Sequence, residues 1–144
     1  FDKKRAEDLI EDLSHEIKDN LSLKLVSTPG LIEIAEKIAK DWETIGVKTR
    51  VQVSSIVPSE FEAYLTIMDI PKDPDQYAFW HSTQTSTNIS GYSNPRIDKL
   101  LEDGRKELSI EERRKIYLDF QRFLIEDSPA IFLYHPVTYT ITRI

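Results

Sequence analysis

Residues 73–95 combine acidic, aromatic, hydroxyl and amide side chains in the order DPDQYAFWHSTQTSTNISGYSNP. Aromatic faces can stack on a flat ligand, and carboxylates, hydroxyls and amides can hydrogen-bond to it, so this mixture predicts the wall of a pocket for a polar organic solute. The candidate ligand-binding residues are Asp69, Asp73, Asp75, Tyr77, Phe79, Trp80, His81, Ser82, Asn88 and Tyr92. The alternative interpretation is a long surface loop with a few buried aromatic side chains.

Catalysis has weaker support in the sequence. His81, Ser82 and Asp75 could form a hydrolytic triad, but the Gly-x-Ser-x-Gly turn that exposes such a serine is missing. A small hydrolase that uses His81 and a nearby acid therefore remains the alternative function, and we predict no catalytic residue. A stand-alone interaction module that oligomerises through its C-terminal strand is a third possibility.

The sequence does not indicate a metal site or a cofactor. His15, His81 and His135 form no HExxH pair, and the chain has no cysteine and only four glycines, without a phosphate-binding loop. An EF-hand that starts at Asp73 fails, because Ala78 replaces its glycine and Gln84 its bidentate glutamate. Asp73 before Pro74 is better explained as a turn initiator whose side chain bonds the local backbone.

The composition, with 40% hydrophobic and 31% charged residues in 144, predicts a single domain over residues 1–144. The formal net charge is -6, and the basic residues alternate with acidic ones at 105–107 and 111–115. We interpret these runs as solvated helix faces, and we expect no nucleic-acid partner. No apolar run reaches the roughly 20 residues that span a membrane.

A βαβ unit is expected to precede the candidate site. Apolar residues at helical spacing predict a first helix, with Ala6, Leu9, Ile10, Leu13 and Ile17 on its apolar side. A strand at 21–26, a helix over 31–45 that carries Trp42 on its apolar stripe, and an alternating strand at 47–53 follow. Gly46 provides the end of that helix. Such crossovers are almost always right-handed, with parallel strands.

The candidate site should begin where a third strand ends. Ser59 and Glu62 form a capping-box pattern for a short helix, which is followed by a strand at 65–68. Ligands of open α/β sheets bind in crevices beyond strand ends. Asn94 and Ser109 predict the starts of two amphipathic helices. A central strand at 130–134 and an edge strand at 137–144 complete the prediction.

Several motifs, taken in order along the chain, resemble the extracellular solute-binding proteins of family five, the peptide and nickel receptors of ABC importers. These motifs are FDKKRA at 1–6, DPD at 73–75, GYSNP at 91–95 with Asp98, ER at 112–113, and DSPAIFLY at 127–134. The resemblance covers nearly the whole chain but matches only the C-terminal lobe of such proteins. It implies an α/β fold of the periplasmic-binding-protein-like II class, a single C-terminal lobe with a mixed sheet flanked by helices.

Family members are two-lobed clamps that close on a solute and deliver it to a membrane permease. The resemblance therefore implies a solute-binding lobe that is not an enzyme, and that captures a peptide, an oligosaccharide or a similar polar solute. Its partners would be that solute, the missing N-terminal lobe and an ABC transporter permease. The parent protein would be a monomer outside the cytoplasmic membrane, either periplasmic or membrane-anchored.

The chain departs from the family at one position. Peptide-binding members often carry a Trp-x-x-Asp pattern before the Asp-Pro pair, and its aspartate holds the amino terminus of the peptide. Aligned on Asp73, this pattern meets Ile67 and Ile70, while Asp69 lies one residue away. On an extended segment a shift by one residue points the side chain to the other side. The departure favours an oligosaccharide or another polar solute.

Overall fold

The computed structural model describes residues 2–135, 137 and 140–143. The chain divides into two compact units, Phe1–Asp69 and Ile70–Ile144. That all 144 residues act as one domain stays a prediction. Among the described helices, none combines the length and the apolar character needed to cross a membrane.

The first unit holds two short helices followed by a three-stranded sheet. Its elements are α1 (Lys3–Glu11), α2 (His15–Asn20), β1 (Ser22–Ser27), a 3-10 turn (Pro29–Leu31), α3 (Ile32–Glu43), β2 (Lys48–Val53) and β3 (Ala63–Leu65). The strand order is β2-β1-β3, and both pairings are parallel, with Leu25 opposite Val51 and Ala63. The predicted parallel βαβ unit is confirmed.

The apolar pattern of α3 explains how this helix covers the sheet. Ala35 and Ala39 are buried and Trp42 is half-buried, as the predicted stripe requires. Gly46 ends the segment with a φ of 90°, a left-handed conformation that glycine adopts without steric cost. In the central strand β1, Leu25 and Val26 are both buried although their side chains point to opposite faces, which is typical of a strand covered on both sides.

Two local predictions for this unit are wrong. The predicted first helix is broken between α1 and α2, where Ser14 is extended and its carbonyl accepts the Lys18 amide at 3.0 Å. Serine favours helix starts over helix interiors. The capping box at Ser59 forms no helix, because Glu62 instead accepts a hydrogen bond from the Lys24 amide in β1. The third strand accordingly spans Ala63–Leu65, so the prediction of a strand at 65–68 is correct only at its first residue.

The second unit is built on a pair of packed helices. Its elements are α4 (Tyr77–Trp80), α5 (Pro95–Lys106) and α6 (Ile110–Asp127). The predicted caps are confirmed: the Asn94 side chain accepts the Arg96 amide at 2.9 Å, and the Ser109 hydroxyl accepts the Glu112 amide at 3.4 Å. Ser128 ends α6 in a left-handed conformation with a φ of 50°. The most buried side chains of the pair are Ile97, Leu101, Tyr117, Phe120 and Leu124.

The predicted C-terminal strands are absent from the residues that the structure describes in this region, 130–135, 137 and 140–143. Residues 130–134 form no strand, and Ile131 is 77% exposed. An apolar run indicates a need for burial but does not identify the element that provides it. In the predicted edge strand, residues 137 and 140–143 are not in a strand, and the others lie outside the described residues. The α/β class is confirmed, but the antiparallel part of a mixed sheet is not among the described residues.

We expect Gly104→Ala to destabilise the second unit. A Cβ at position 104 would lie 2.8 Å from Cζ of Tyr117, whose side chain is only 4% exposed, so the ring or the helix would have to shift. Overpacking of this kind costs about 1–3 kcal/mol, which outweighs the roughly 1 kcal/mol that alanine gains over glycine in a helix. Urea denaturation measures the difference.

Gly30→Ala is the matched control, because nothing lies within 4 Å of the added Cβ at that position. Its free energy of unfolding should stay near that of the wild type. A Gly104→Ala chain more stable than the wild type would contradict the tight contact between α5 and α6.

Candidate functional site

Nine of the ten candidate residues lie in residues 73–95, which belong to the second unit. Asp69 belongs to the first unit, where it is exposed. The 73–95 segment contains the single helical turn α4 and no strand. Its conformation therefore depends on backbone turns, such as the hydrogen bond from the Asn88 amide to the Gln84 carbonyl at 2.8 Å, and on side-chain hydrogen bonds.

The acidic start of the segment is tied to two arginines. Arg113 donates to both carboxylate oxygens of Asp73, at 2.8 and 3.3 Å, and the Asp75 amide donates to Asp73 at 2.9 Å. These hydrogen bonds, that of Arg113 first, hold the pKa of Asp73 below its ordinary value. Asp75 accepts from Arg105 Nε at 2.7 Å and from the Tyr77 amide at 3.0 Å. The predicted turn role of Asp73 is confirmed.

The aromatic side chains contact one another within the unit. The Tyr77 ring lies between the His81 imidazole, at 4.0 Å, and the Arg105 guanidinium, at 3.9 Å. Trp80 is only 5% exposed, and its ring meets Tyr92 and Phe132 edge-on at 6.4 and 6.2 Å. Phe79 is half-buried. Of these aromatics, Trp80 is thus a core residue of the unit in the described structure.

The middle of the segment is held by α5. Ser82 donates to the Asp98 carboxylate twice, from its amide at 2.8 Å and from its hydroxyl at 2.5 Å. His81 is 4% exposed, and its Nδ1 accepts the Thr83 amide at 3.2 Å. The hydroxyl of Ser82 therefore donates to Asp98 and not to an imidazole, and Asp75 binds Arg105. A hydrolytic triad of these residues is not assembled.

The end of the segment is fixed by a buried amide and by the last residue of α6. Nδ2 of Asn88 donates to the Tyr92 carbonyl at 2.8 Å, and its Oδ1 accepts from Ser90 at 2.9 Å. The Tyr92 hydroxyl donates to Asp127, and Asn94 donates to the same oxygen at 2.6 Å. These two donors lower the pKa of Asp127.

Sequence reasoning missed the partners of the segment. They are Asp98, Arg105, Arg113 and Asp127, on α5 and α6. Asp98, Arg113 and Asp127 belong to the motifs of the family resemblance, and this membership is the signal in the sequence that could have identified them as partners. The prediction of solvated faces at 105–107 and 111–115 holds for Arg105, which is exposed, whereas Arg113 is half-buried. It does not include the ion pairs that Arg105 and Arg113 form with Asp75 and Asp73.

Two surface grooves lie largely away from the candidate residues. A groove of about 420 Å³ lies along α6, and Pro74 is the only residue of the segment that lines it. A second groove, of about 490 Å³, lies between α1 and the end of α3. Within the described part of the chain, no cluster of three or more histidine or acidic side chains is placed to hold a metal ion.

We expect Trp80→Ala to destabilise the chain, because it would leave a cavity beside Tyr92 and Phe132. Removing a buried tryptophan costs about 3–5 kcal/mol. Urea denaturation followed by circular dichroism measures this loss without relying on tryptophan fluorescence. Phe79→Ala is the control: its half-buried side chain should cost clearly less, and equal losses would contradict the core position of Trp80.

Tyr92 should make stability sensitive to alkaline pH. Burial, and then the hydrogen bond to Asp127, raise the pKa of Tyr92 to about 12, whereas an unperturbed tyrosine ionises at 10.0. Between these values the folded chain keeps a proton that the unfolded chain has lost, so the free energy of unfolding falls as the pH rises. The contribution is complete below pH 10 and declines towards pH 12.

Urea denaturation at about pH 9 and pH 11 tests this expectation. Tyr92→Phe should lose less stability between the two pH values than the wild type, since it has no proton to release there. The same alkaline loss in both chains would show that Tyr92 is not the group responsible.

Comparisons with known proteins bear on the nature of this site. The chain matches no protein-family model. It is 27% identical over 115 residues, 72% of the chain, to the oligopeptide-binding protein AppA of Bacillus subtilis, and covers 21% of it. Its fold is similar to that of NikZ from Campylobacter jejuni, solved in complex with Ni(L-His): the TM-score is 0.79 at 26% identity, over 90% of this chain and 31% of that one.

A third similar protein is the ABC transporter-associated periplasmic binding protein DppA from Helicobacter pylori, solved in complex with the peptide STSA. Its TM-score is 0.77 at 22% identity, over 89% of this chain and 28% of that one. The chain thus spans less than a third of the length of these relatives. The predicted resemblance is confirmed: the relatives and structural neighbours of this chain are family-five solute-binding proteins with the type II periplasmic-binding fold, and the chain corresponds to a fragment of them.

Proposed function

We propose that the chain is the solute-binding lobe of an ABC-importer receptor, which captures a peptide, an oligosaccharide or a similar polar solute and passes it on chemically unchanged. The observation that carries this proposal is the structural similarity to NikZ, with a TM-score of 0.79 over 90% of the chain. Receptor function needs a shaped, hydrogen-bonding surface and no reaction chemistry. The absence of an assembled triad among Asp75, His81 and Ser82 is consistent with this function.

The 73–95 segment supplies such a surface in this proposal. Its buried members Trp80, His81 and Asn88 fix the backbone, so little conformational freedom is lost when a solute binds. The more exposed candidates then contact the solute directly, among them Asp73 and the half-buried Phe79. Asp69, exposed in the first unit, is a further candidate for hydrogen bonds to the solute.

The working receptor in this proposal is larger than the chain. A second lobe supplies the opposite wall of the cleft. The units Phe1–Asp69 and Ile70–Ile144 both belong to one C-terminal lobe. The complete receptor functions as a monomer. A permease accepts the solute from it, and receptor and solute meet outside the cytoplasmic membrane. The periplasmic and oligopeptide-binding relatives support this assignment.

The 144-residue chain alone should bind solute weakly, because half of the contacts belong to the missing lobe. Isothermal titration calorimetry with the peptide STSA, or with nickel and L-histidine, the ligands of two structural neighbours, provides the measurement. Micromolar or tighter binding would contradict a half-site.

The identity of the solute is tested on the intact receptor. Purification from its host, denaturation and mass spectrometry of the released fraction should reveal a bound polar molecule. Hydrolysis of generic esters or glycosides that disappears in His81→Ala would instead support the hydrolase.

A further inference from the structure

His81 is a buried imidazole whose hydrogen-bond partners distinguish between its two neutral tautomers. The Thr83 amide, which can only donate, lies 3.2 Å from Nδ1, so Nδ1 must be the unprotonated nitrogen. The Thr83 hydroxyl lies 2.8 Å from the same atom, and it can donate to the nitrogen in this tautomer. The hydrogen of the neutral ring is therefore on Nε2, which is buried and has no hydrogen-bond partner among the described residues.

Charged groups surround this ring on both sides. From α5, Asp98 Oδ1 lies 3.9 Å from Nδ1 and Glu102 Oε1 lies 3.5 Å from Nε2. Glu102 is also 3.8 Å from Lys106. From α4, Tyr77 stacks on the ring at 4.0 Å and carries the Arg105 guanidinium on its far face. The two carboxylates are the charges nearest to the imidazole, and a positive ring would be drawn towards them.

We propose that His81 is a proton-operated latch on the turn that carries Ser82 and Thr83. In the neutral state, Nδ1 holds the turn closed by accepting the Thr83 amide. When the ring takes up a proton, Nδ1 becomes a donor, so the amide loses its acceptor and the Thr83 hydroxyl must reverse its role. The imidazolium then competes with Ser82 for Asp98, so the turn loosens at Ser82 and Thr83, while the Gln84 amide can still donate to the His81 carbonyl, now at 3.0 Å.

The first test is the tautomer. Long-range ¹H–¹⁵N spectra of the labelled chain at about pH 8 should show His81 Nδ1 as the unprotonated nitrogen. This measurement needs no substitution. A protonated Nδ1 at that pH would overturn the latch, because the Thr83 amide would then have no acceptor in the neutral state.

The second test is the loosening itself. Solvent-exchange spectra measure the exchange rate of the Thr83 amide relative to the Glu107 amide, which bonds Asp103 at the end of α5. The ratio should rise on the order of tenfold between about pH 8 and pH 5, the equivalent of one lost hydrogen bond. A constant ratio while the His81 ring protonates would overturn the proposal, as would a ring that stays neutral throughout.

His81→Gln should abolish this pH dependence, whereas His15→Gln, at an exposed position on α2, should retain it. Equal behaviour of the two variants would contradict the role of His81. If His81→Gln does not fold, the two measurements on the wild-type chain decide the question.

Discussion

The 73–95 segment has one helical turn and no strand, so most of its polar groups must find partners outside regular secondary structure. Some of these partners lie in turns within the segment, and others lie on α5 and α6. Asp98 binds Ser82, Asp127 binds Tyr92 and Asn94, Arg105 binds Asp75, and Arg113 binds Asp73. These anchors are correctly spaced only when the two helices are packed together. The contact between Gly104 and Tyr117 that allows their close approach is therefore a condition for the shape of the segment.

The sequence predicts the local part of this arrangement well. Helical period and capping chemistry involve neighbours within four residues, and α3, Asn94 and Ser109 follow those rules. The broken first helix and the absent helix at Ser59 show where local rules fail. At Glu62, a long-range bond to Lys24 replaces the local one that the capping box predicts.

The functional interpretation was harder to predict for the same reason. The residue type alone does not distinguish a ligand-binding aromatic side chain from one that packs in the core. Trp80 is of the second kind, because it packs against Tyr92 and Phe132. Spacing, likewise, does not show that Asp73 meets Arg113, which is 40 residues away. The resemblance to family five preserved part of this information, since Asp98 and Asp127 belong to its motifs and hold the segment in place.

The end of α6 links the 73–95 segment to the chain that follows. Asp127 is the last residue of the helix and binds Tyr92, while Ser128 turns the backbone and Phe132 reaches Trp80. Tyr92 is therefore bound by a residue before the turn at Ser128, and Trp80 contacts a residue after it. A displacement of the chain at residue 132 would therefore remove an aromatic contact of Trp80, and a displacement of Asp127 would remove the hydrogen bond of Tyr92.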